Sequence, residues 1–251
     1  MFRAARHAVK RRLRRLLRIP PEIRLQVDGE LLERYARHRL GPDAVYVEIG
    51  AGTGDSAAKG TAFLNLKPGR CHLVEACPVN FQVLQNKLPG FRIYNYAITE
   101  RRGQVCLHVV DHPTREGTSL SNSIDGRALK AKTRLPVREV MVPSITMNEL
   151  FDQAGIERCD FLYMNCEGAE YGILRGDTSF LHRVFLLRFD LHRGLYGEAR
   201  NDQDMVQAKL AIYDLLERRG FVRIGGHNRR HIEEITGTHL TSFWENESNG
   251  H

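Results

Sequence analysis

The run Val45-Tyr46-Val47-Glu48-Ile49-Gly50-Ala51-Gly52-Thr53-Gly54 constrains this chain more than any other: an apolar strand breaks into three glycines spaced two apart, with a carboxylate two residues before the first. Glycine tolerates positive φ and admits a ligand or another backbone where a Cβ would block it. The first βα turn of a doubly wound sheet is where nucleotides sit. The spacing narrows the ligand. A dinucleotide fingerprint reads G-x-G-x-x-G and rests a pyrophosphate on the helix N-terminus. Here the order is E-x-G-x-G-x-G, and Asp55 stands where the third glycine belongs. Asp55 together with Glu48 repels a pyrophosphate and suits a cation. S-adenosylmethionine (SAM), with its sulfonium and ammonium, fits that demand. The candidate loop contacts are therefore Glu48, Gly50, Ala51, Gly52, Thr53, Gly54 and Ser56.

The following elements agree. Ser56 to Leu66 has helical character, and Arg70 to Glu75 reads as a second strand ending in a carboxylate. Glu75 follows Gly54 by 21 residues, close to the offset of roughly 20 at which an acidic residue reaches ribose hydroxyls. Ala76 comes next. Phe91 to Ile98 reads as a third strand whose end, Asn95-Tyr96-Ala97, falls where adenine lies in such sheets, with Asn95 and the small Ala97 as contacts. A dinucleotide-dependent oxidoreductase would use the same sheet and Glu75, but the glycine spacing opposes it.

Strands and helices alternate over the rest of the chain as a parallel wound α/β sheet requires. Helices are expected at Pro78–Leu88, with Pro at its first position, at Met147–Ala154, and at Asp202–Arg219, with Gly220 as C-cap. Further strands are expected at Asp160–Met164, Val184–Leu191, Phe221–Ile224 and Leu240–Trp244. Between strands three and four, Val105–Val110 and Val137–Val142 read as two strands flanking a polar, basic loop. A long insertion inside a compact domain is usually functional or disordered; this one reads as a hairpin or flap placed to cover the cofactor cleft.

Several blocks then resemble the FkbM-type methyltransferases: Glu75-Ala76-Cys77-Pro78-Val79-Asn80-Phe81, Tyr94-Asn95-Tyr96-Ala97-Ile98, Thr118-Ser119-Leu120, and Phe161-Leu162-Tyr163-Met164-Asn165-Cys166-Glu167-Gly168-Ala169-Glu170 with Leu174 and Gly176. The resemblance spans about residues 43–245. It implies a Rossmann-like, seven-stranded methyltransferase sheet with its last pair of strands antiparallel, SAM as methyl donor, and an acceptor oxygen on a sugar, glycan or secondary metabolite. Asn165 and Asn148 stand where that family usually has Asp, which removes two carboxylates from any metal-binding or proton-abstracting role.

Ligands of open wound sheets sit at the carboxyl ends of the strands, and methyl transfer to a hydroxyl needs a base there. The candidates are Asn165, Glu167 and Glu170 after strand four, Asp190 and His192 after strand five, and Asp111 and His112 near the insertion. His192 has the best intrinsic pKa for a base, with Asp190 two residues earlier on the same strand face as its orienting partner. Glu167 is the rival. Asn165 equally suits capping the helix that follows, where Glu167 and Glu170 favour its dipole, and His192 equally suits a hydrogen-bonded structural role. Asn165 is also counted among the cofactor contacts.

A chain of 251 residues, 42% hydrophobic, suffices for one α/β domain with a full core. Five scattered cysteines without a C-x-x-C pair predict reduced thiols in a cytoplasmic protein, and neither a disulfide framework nor a zinc site. The net charge of +7 is a property of the start of the chain. Of 37 basic and 30 acidic residues, nine and one fall in residues 1–24, which leaves 28 against 29, or −1. Phe2, Val9, Leu13, Leu16 and Leu17 form an apolar stripe on that cationic segment, ended by Pro20-Pro21. Such a helix lies on anionic lipid, docks on a partner or packs on the domain's own surface. The expected organisation is a basic amphipathic helix (1–24), a linking helix (25–42), the methyltransferase domain (43–246) and a polar tail (247–251). Residues 1–19 would hold the protein on the inner face of a membrane. A non-enzymatic membrane-associated protein is the other reading of this tail, and the near-neutral domain speaks against nucleic acid.

Overall fold

The computed structural model describes residues 35–111, 122–124, 126, 129, 134–191, 202–226 and 240–247. The expected amphipathic helix, the first part of the linking helix, the Thr118-Ser119-Leu120 block, His112 and His192 lie outside the described residues.

Seven strands build the main sheet: β1 (Tyr46–Ile49), β2 (Cys71–Val74), β3 (Arg92–Tyr94), β7 (Cys159–Met164), β8 (Val184–Leu191), β9 (Phe221–Gly226) and β10 (Leu240–Asn246). Their order is β3-β2-β1-β7-β8-β10-β9. All neighbours are parallel except β10, which runs antiparallel to both β8 and β9. β1, β2 and β7 are almost wholly buried, which is why they read as continuous apolar runs rather than alternating ones.

Helices cover both faces: α1 (Asp55–Leu64), α2 (Pro78–Lys87), α3 (Met147–Ala154), α4 (Ala169–Arg175) and α5 (Asp202–Arg218). Because side chains alternate along a strand, Val47 and Ile49 join one apolar cluster with Leu150 and Phe151 of α3, Leu174 of α4 and Leu216 of α5. Tyr46 joins the other, with Ala57 and Leu64 of α1 and Leu84 of α2. Tyr213 of α5 meets Trp244 edge-on at 4.8 Å between centroids, which locks that helix over the antiparallel strand. Residues 35–39 are helical. Arg39 pairs with the buried Glu245 at 2.5 Å, Tyr35 donates to the same carboxylate, and the Arg39 guanidinium lies 5.3 Å over the Phe185 ring.

One expected strand is two. The stretch Phe91–Ile98 splits into β3 and β4 (Ala97–Ile98), and β4 leaves the main sheet for a second, three-stranded one with β5 (Gly103–Val110) and β6 (Val137–Ile145), in the order β4-β6-β5. Asn95 enforces the break: its side-chain amide donates to the Glu75 and Ala76 carbonyls at 2.8 and 3.1 Å, bonds that turn the chain away from the β2 edge. The expected hairpin is β5 (Gly103–Val110) paired antiparallel with β6 (Val137–Ile145) over its full length. Ser123 bridges to His108, so residues 122–124 lie beside β5.

Candidate active site

The β1–α1 turn, the ends of β2 and β7, and the hairpin enclose one cleft. At its base the turn rises from β1 with Gly50 at φ 83, and the amides of Gly50 and Ala51 both donate to the Val74 carbonyl. A Cβ on Gly50 would lie 2.1 Å from the Asn165 carbonyl oxygen, so this glycine admits a neighbouring strand end rather than a ligand. Gly54 is the N-cap of α1, and a Cβ there would strike Leu84 at 2.6 Å. Gly54, expected as a cofactor contact, is not among the residues that line the cleft. Glu48, Gly50, Ala51, Gly52, Thr53 and Ser56 do line the cleft.

Glu75 sits across from the turn, buried. Its carboxylate accepts from the Gly52 amide at 2.8 Å and the Cys77 amide at 2.9 Å, and Asn80 also bonds it. Burial raises its pKa while these donors oppose the rise. Two carboxylate oxygens offer about four acceptor positions, so capacity for a ligand hydroxyl remains. Ala76 and Ala97 line the wall beside it, with Tyr96. Asn95 is not among the lining residues; its side-chain amide donates to the carbonyls of residues 75 and 76, which leaves its expected backbone contact with adenine untouched.

Glu48 is the other buried carboxylate of the cleft, 1% exposed. Tyr46, two residues back on the same face, donates to it at 2.6 Å. Burial pushes the Glu48 carboxyl up to about 7; the Tyr46 bond and the Arg188 charge pull it down, and Glu75 adds to the rise. Asp55 differs. It is exposed, bonded to Lys87 at 2.6 Å and to Thr53 at 3.2 Å, and Lys87 holds its carboxyl below the usual range. Asp55, Glu48 and Glu75 all line the cleft, so the negative pattern that disfavours a pyrophosphate extends from the turn to the end of β2.

The chain leaves β7 in a loop of unusual backbone. Glu167 has φ 50 and Gly168 φ 105, and a non-glycine residue with positive φ at a cleft is a mark of functional sites. Glu170, fully buried, fixes this loop by accepting from the Cys166 and Gly168 amides, both at 2.7 Å. Gly168, not Asn165, is the N-cap of α4, and it has no side-chain cap. Asn165 instead lines the cleft, and its buried side-chain oxygen has no hydrogen-bond partner among the described residues. Asn148, the other Asn at a family Asp position, is half-buried and donates to Asp177 at 2.8 Å, outside the cleft wall.

Of the three candidate catalytic residues, Glu167 lines the cleft. Asp190 is buried and accepts from the Tyr163 hydroxyl at 2.9 Å, beside Arg188, whose guanidinium lies 4.5 Å over the Tyr163 ring. It lies off the cleft wall. The hairpin supplies contacts that motif reading missed: Leu107, Asn122, Ser123 and Ile124 line the cleft, and the Ser123 hydroxyl donates to the Glu167 carbonyl at 2.9 Å. Their signal was only the polar insertion itself, of which residues 122–124 line the cleft.

The sheet order and the antiparallel β10 define a Rossmann-like α/β fold, with a carboxylate-lined glycine turn at its cleft. Residues 48–223 match the family model of the methyltransferase FkbM domain, and the chain belongs to that family. It is a methyltransferase, which runs against the oxidoreductase reading. Among curated proteins it is similar to the 2-O-methyltransferase NoeI of Sinorhizobium fredii (strain NBRC 101917 / NGR234), with 24% identity over 189 residues, 70% of this chain and 72% of that one. Among solved structures it is similar to the methyltransferase FkbM from Methylobacillus flagellatus KT (14% identity, TM-score 0.46), covering 80% of this chain and 44% of the length of that one. A second is the fibrillarin of Aeropyrum pernix with bound S-adenosyl-L-methionine (9% identity, TM-score 0.43), covering 86% and 74%. No helix among the described residues is long and apolar enough to cross a membrane.

Proposed function

We propose that this methyltransferase takes its methyl group from SAM and delivers it to a hydroxyl oxygen of a small-molecule or glycan acceptor. One observation carries the reading: two buried carboxylates, Glu48 and Glu75, line the glycine-turn cleft together with the unpaired oxygen of Asn165. Glu75 suits the ribose hydroxyls, and Glu48 and Asn165 offer acceptors to an ammonium. The name of the NoeI relative, a 2-O-methyltransferase, favours oxygen as the accepting atom.

SAM supplies a methyl on a sulfonium, so the O–C bond forms as the S–C bond breaks and its electron pair returns to sulfur. What remains for the chain is to align the acceptor and take up its hydroxyl proton. We assign that uptake to Glu167, a cleft-lining carboxylate on a loop held by Glu170 and Ser123. His192, two residues beyond Asp190, is the rival base. Once an acceptor is found, Glu167→Gln lowers turnover with little change in SAM affinity; if His192→Ala does so instead, the proton goes to strand five.

Calorimetry tests the cofactor. Wild-type protein should bind SAM and S-adenosylhomocysteine and ignore NAD. Glu75→Gln removes a charged acceptor worth roughly 1.5–3 kcal/mol, so SAM affinity should fall about tenfold or more. Equal dissociation constants for variant and wild type would remove Glu75 from the ribose site.

A further inference from the structure

The outer face of the hairpin carries three groups that methyl transfer does not use. Cys106 and His108 are two apart on β5, so their side chains leave one face, and Glu139 is the direct partner of His108 on β6. Leu107 and Val109 leave the opposite face, into an apolar cluster with Cys77 and Ala97. One ligand atom from each of Cys106, His108 and Glu139 lies within 4.8 Å of the other two, and the His108 Nδ1 to Glu139 Oε1 distance is 3.6 Å. Around a tetrahedral zinc with bonds of about 2.0–2.3 Å, ligand atoms sit roughly 3.3–3.6 Å apart, a contraction within reach of side-chain rotation.

His108 gives a second, independent observation. Its Nδ1 is buried and has no hydrogen-bond partner among the described residues, and a buried polar atom left unpaired is costly. The ring is also confined. A Cβ at Gly126 would lie 2.4 Å from its Cε1, so the backbone of residue 126 closes over the imidazole and limits where it can turn.

We propose that Cys106, His108 and Glu139 form a zinc site, completed by a water. Thiolate, imidazole and carboxylate are the donors zinc takes in three-ligand sites, and the mixed set disfavours the hard cations that want oxygen alone. On binding, the S–Zn bond replaces the Cys106 thiol proton, which goes to solvent with no change of oxidation state. The absence of a C-x-x-C pair has no bearing on a site assembled across two strands. The ion would clip β5 to β6 on the face opposite the cleft. His108 exchanges both backbone hydrogen bonds with Ser123, at 2.8 and 3.0 Å, and Ser123 holds the Glu167 carbonyl, so the clip bears on the segment that walls the cleft.

The full-length protein, stripped with chelator, is titrated with Co2+ as a spectroscopic surrogate and with Zn2+ in competition. The expected result is one equivalent bound, with a thiolate-to-cobalt charge-transfer band and the visible bands of four-coordinate cobalt. Cys106→Ser abolishes the charge-transfer band. Glu139→Gln, an exposed change that leaves the fold intact by circular dichroism, weakens binding at least tenfold, and Gly126→Ala weakens it by displacing the ring. No saturable binding, a charge-transfer band that survives Cys106→Ser, or an unchanged affinity in Glu139→Gln overturns the site. None of these readouts depends on SAM or on an acceptor.

Discussion

Glu48→Gln isolates the cost of burying a carboxyl beside the cofactor cleft. The group titrates near 7 in the fold against an ordinary value of 4.5. Its folded pKa is raised, so between these values the native state holds a proton that the unfolded chain has released. Stability therefore falls as pH rises through that window, and the penalty is absent below about pH 4 and complete above about pH 7. At about 1.4 kcal/mol per pH unit, full ionisation costs on the order of 3 kcal/mol, of which roughly 2 kcal/mol accrues between pH 5.5 and pH 8. The groups that set it are Tyr46 and Arg188, which favour the anion, and Glu75, which opposes it. Gln keeps the shape and still accepts from Tyr46, but does not titrate. Urea unfolding of both proteins from pH 5.5 to pH 8 should show wild type losing ground to Glu48→Gln as pH rises. Parallel curves would mean that Glu48 is not a desolvated acid. A cationic ligand beside Glu48 draws its pKa down, so binding near pH 7 should release a fraction of a proton in wild type and less in the variant, measurable in buffers of different ionisation enthalpy.

Gly50→Ala combines a left-handed φ, worth roughly 1–2 kcal/mol for an L residue, with a Cβ 2.1 Å from the Asn165 carbonyl; chemical denaturation should show a loss of at least that size, and a loss below 1 kcal/mol would mean that the turn shifts freely. Glu170→Gln presents an NH2 to one of the two amides that Glu170 now accepts from, leaving a buried donor unpaired at about 1–3 kcal/mol, and hydrogen exchange should speed at Cys166 and Gly168; unchanged exchange would free the loop from Glu170. Deleting residues 1–20 should release the protein from anionic vesicles at low salt without loss of SAM binding, since each Lys or Arg near such a surface contributes up to about 1 kcal/mol; full-length protein that stays in the supernatant would refute membrane docking.

The main sheet was legible because its central strands are buried on both faces and so appear as unbroken apolar runs, and because Gly50, Gly52 and Gly54 mark the one turn that must take positive φ three times. Glu75 was legible for the same kind of reason: its distance along the chain from the turn is set by one helix and one strand. The break after Tyr94 was not. A run such as Phe91–Ile98 carries strand residues throughout, and what divides it is a tertiary contact, the Asn95 amide on the carbonyls of residues 75 and 76. The same limit hid Ser123 and Asn122, which reach the cleft through the bridge of Ser123 to His108 on β5, and it blurred the roles of the acidic residues. Spacing placed Asp55, Glu167, Glu170 and Asp190 alike at strand or helix ends. Their partners separate them: Lys87 neutralises Asp55, two backbone amides engage Glu170, and Tyr163 bonds Asp190. Glu167 alone of the four combines a place on the cleft wall, a positive φ and a backbone carbonyl tied to the hairpin. Because the Ser123 hydroxyl holds the backbone carbonyl of Glu167, a shift of residues 122–124 bears directly on the loop that carries this carboxylate.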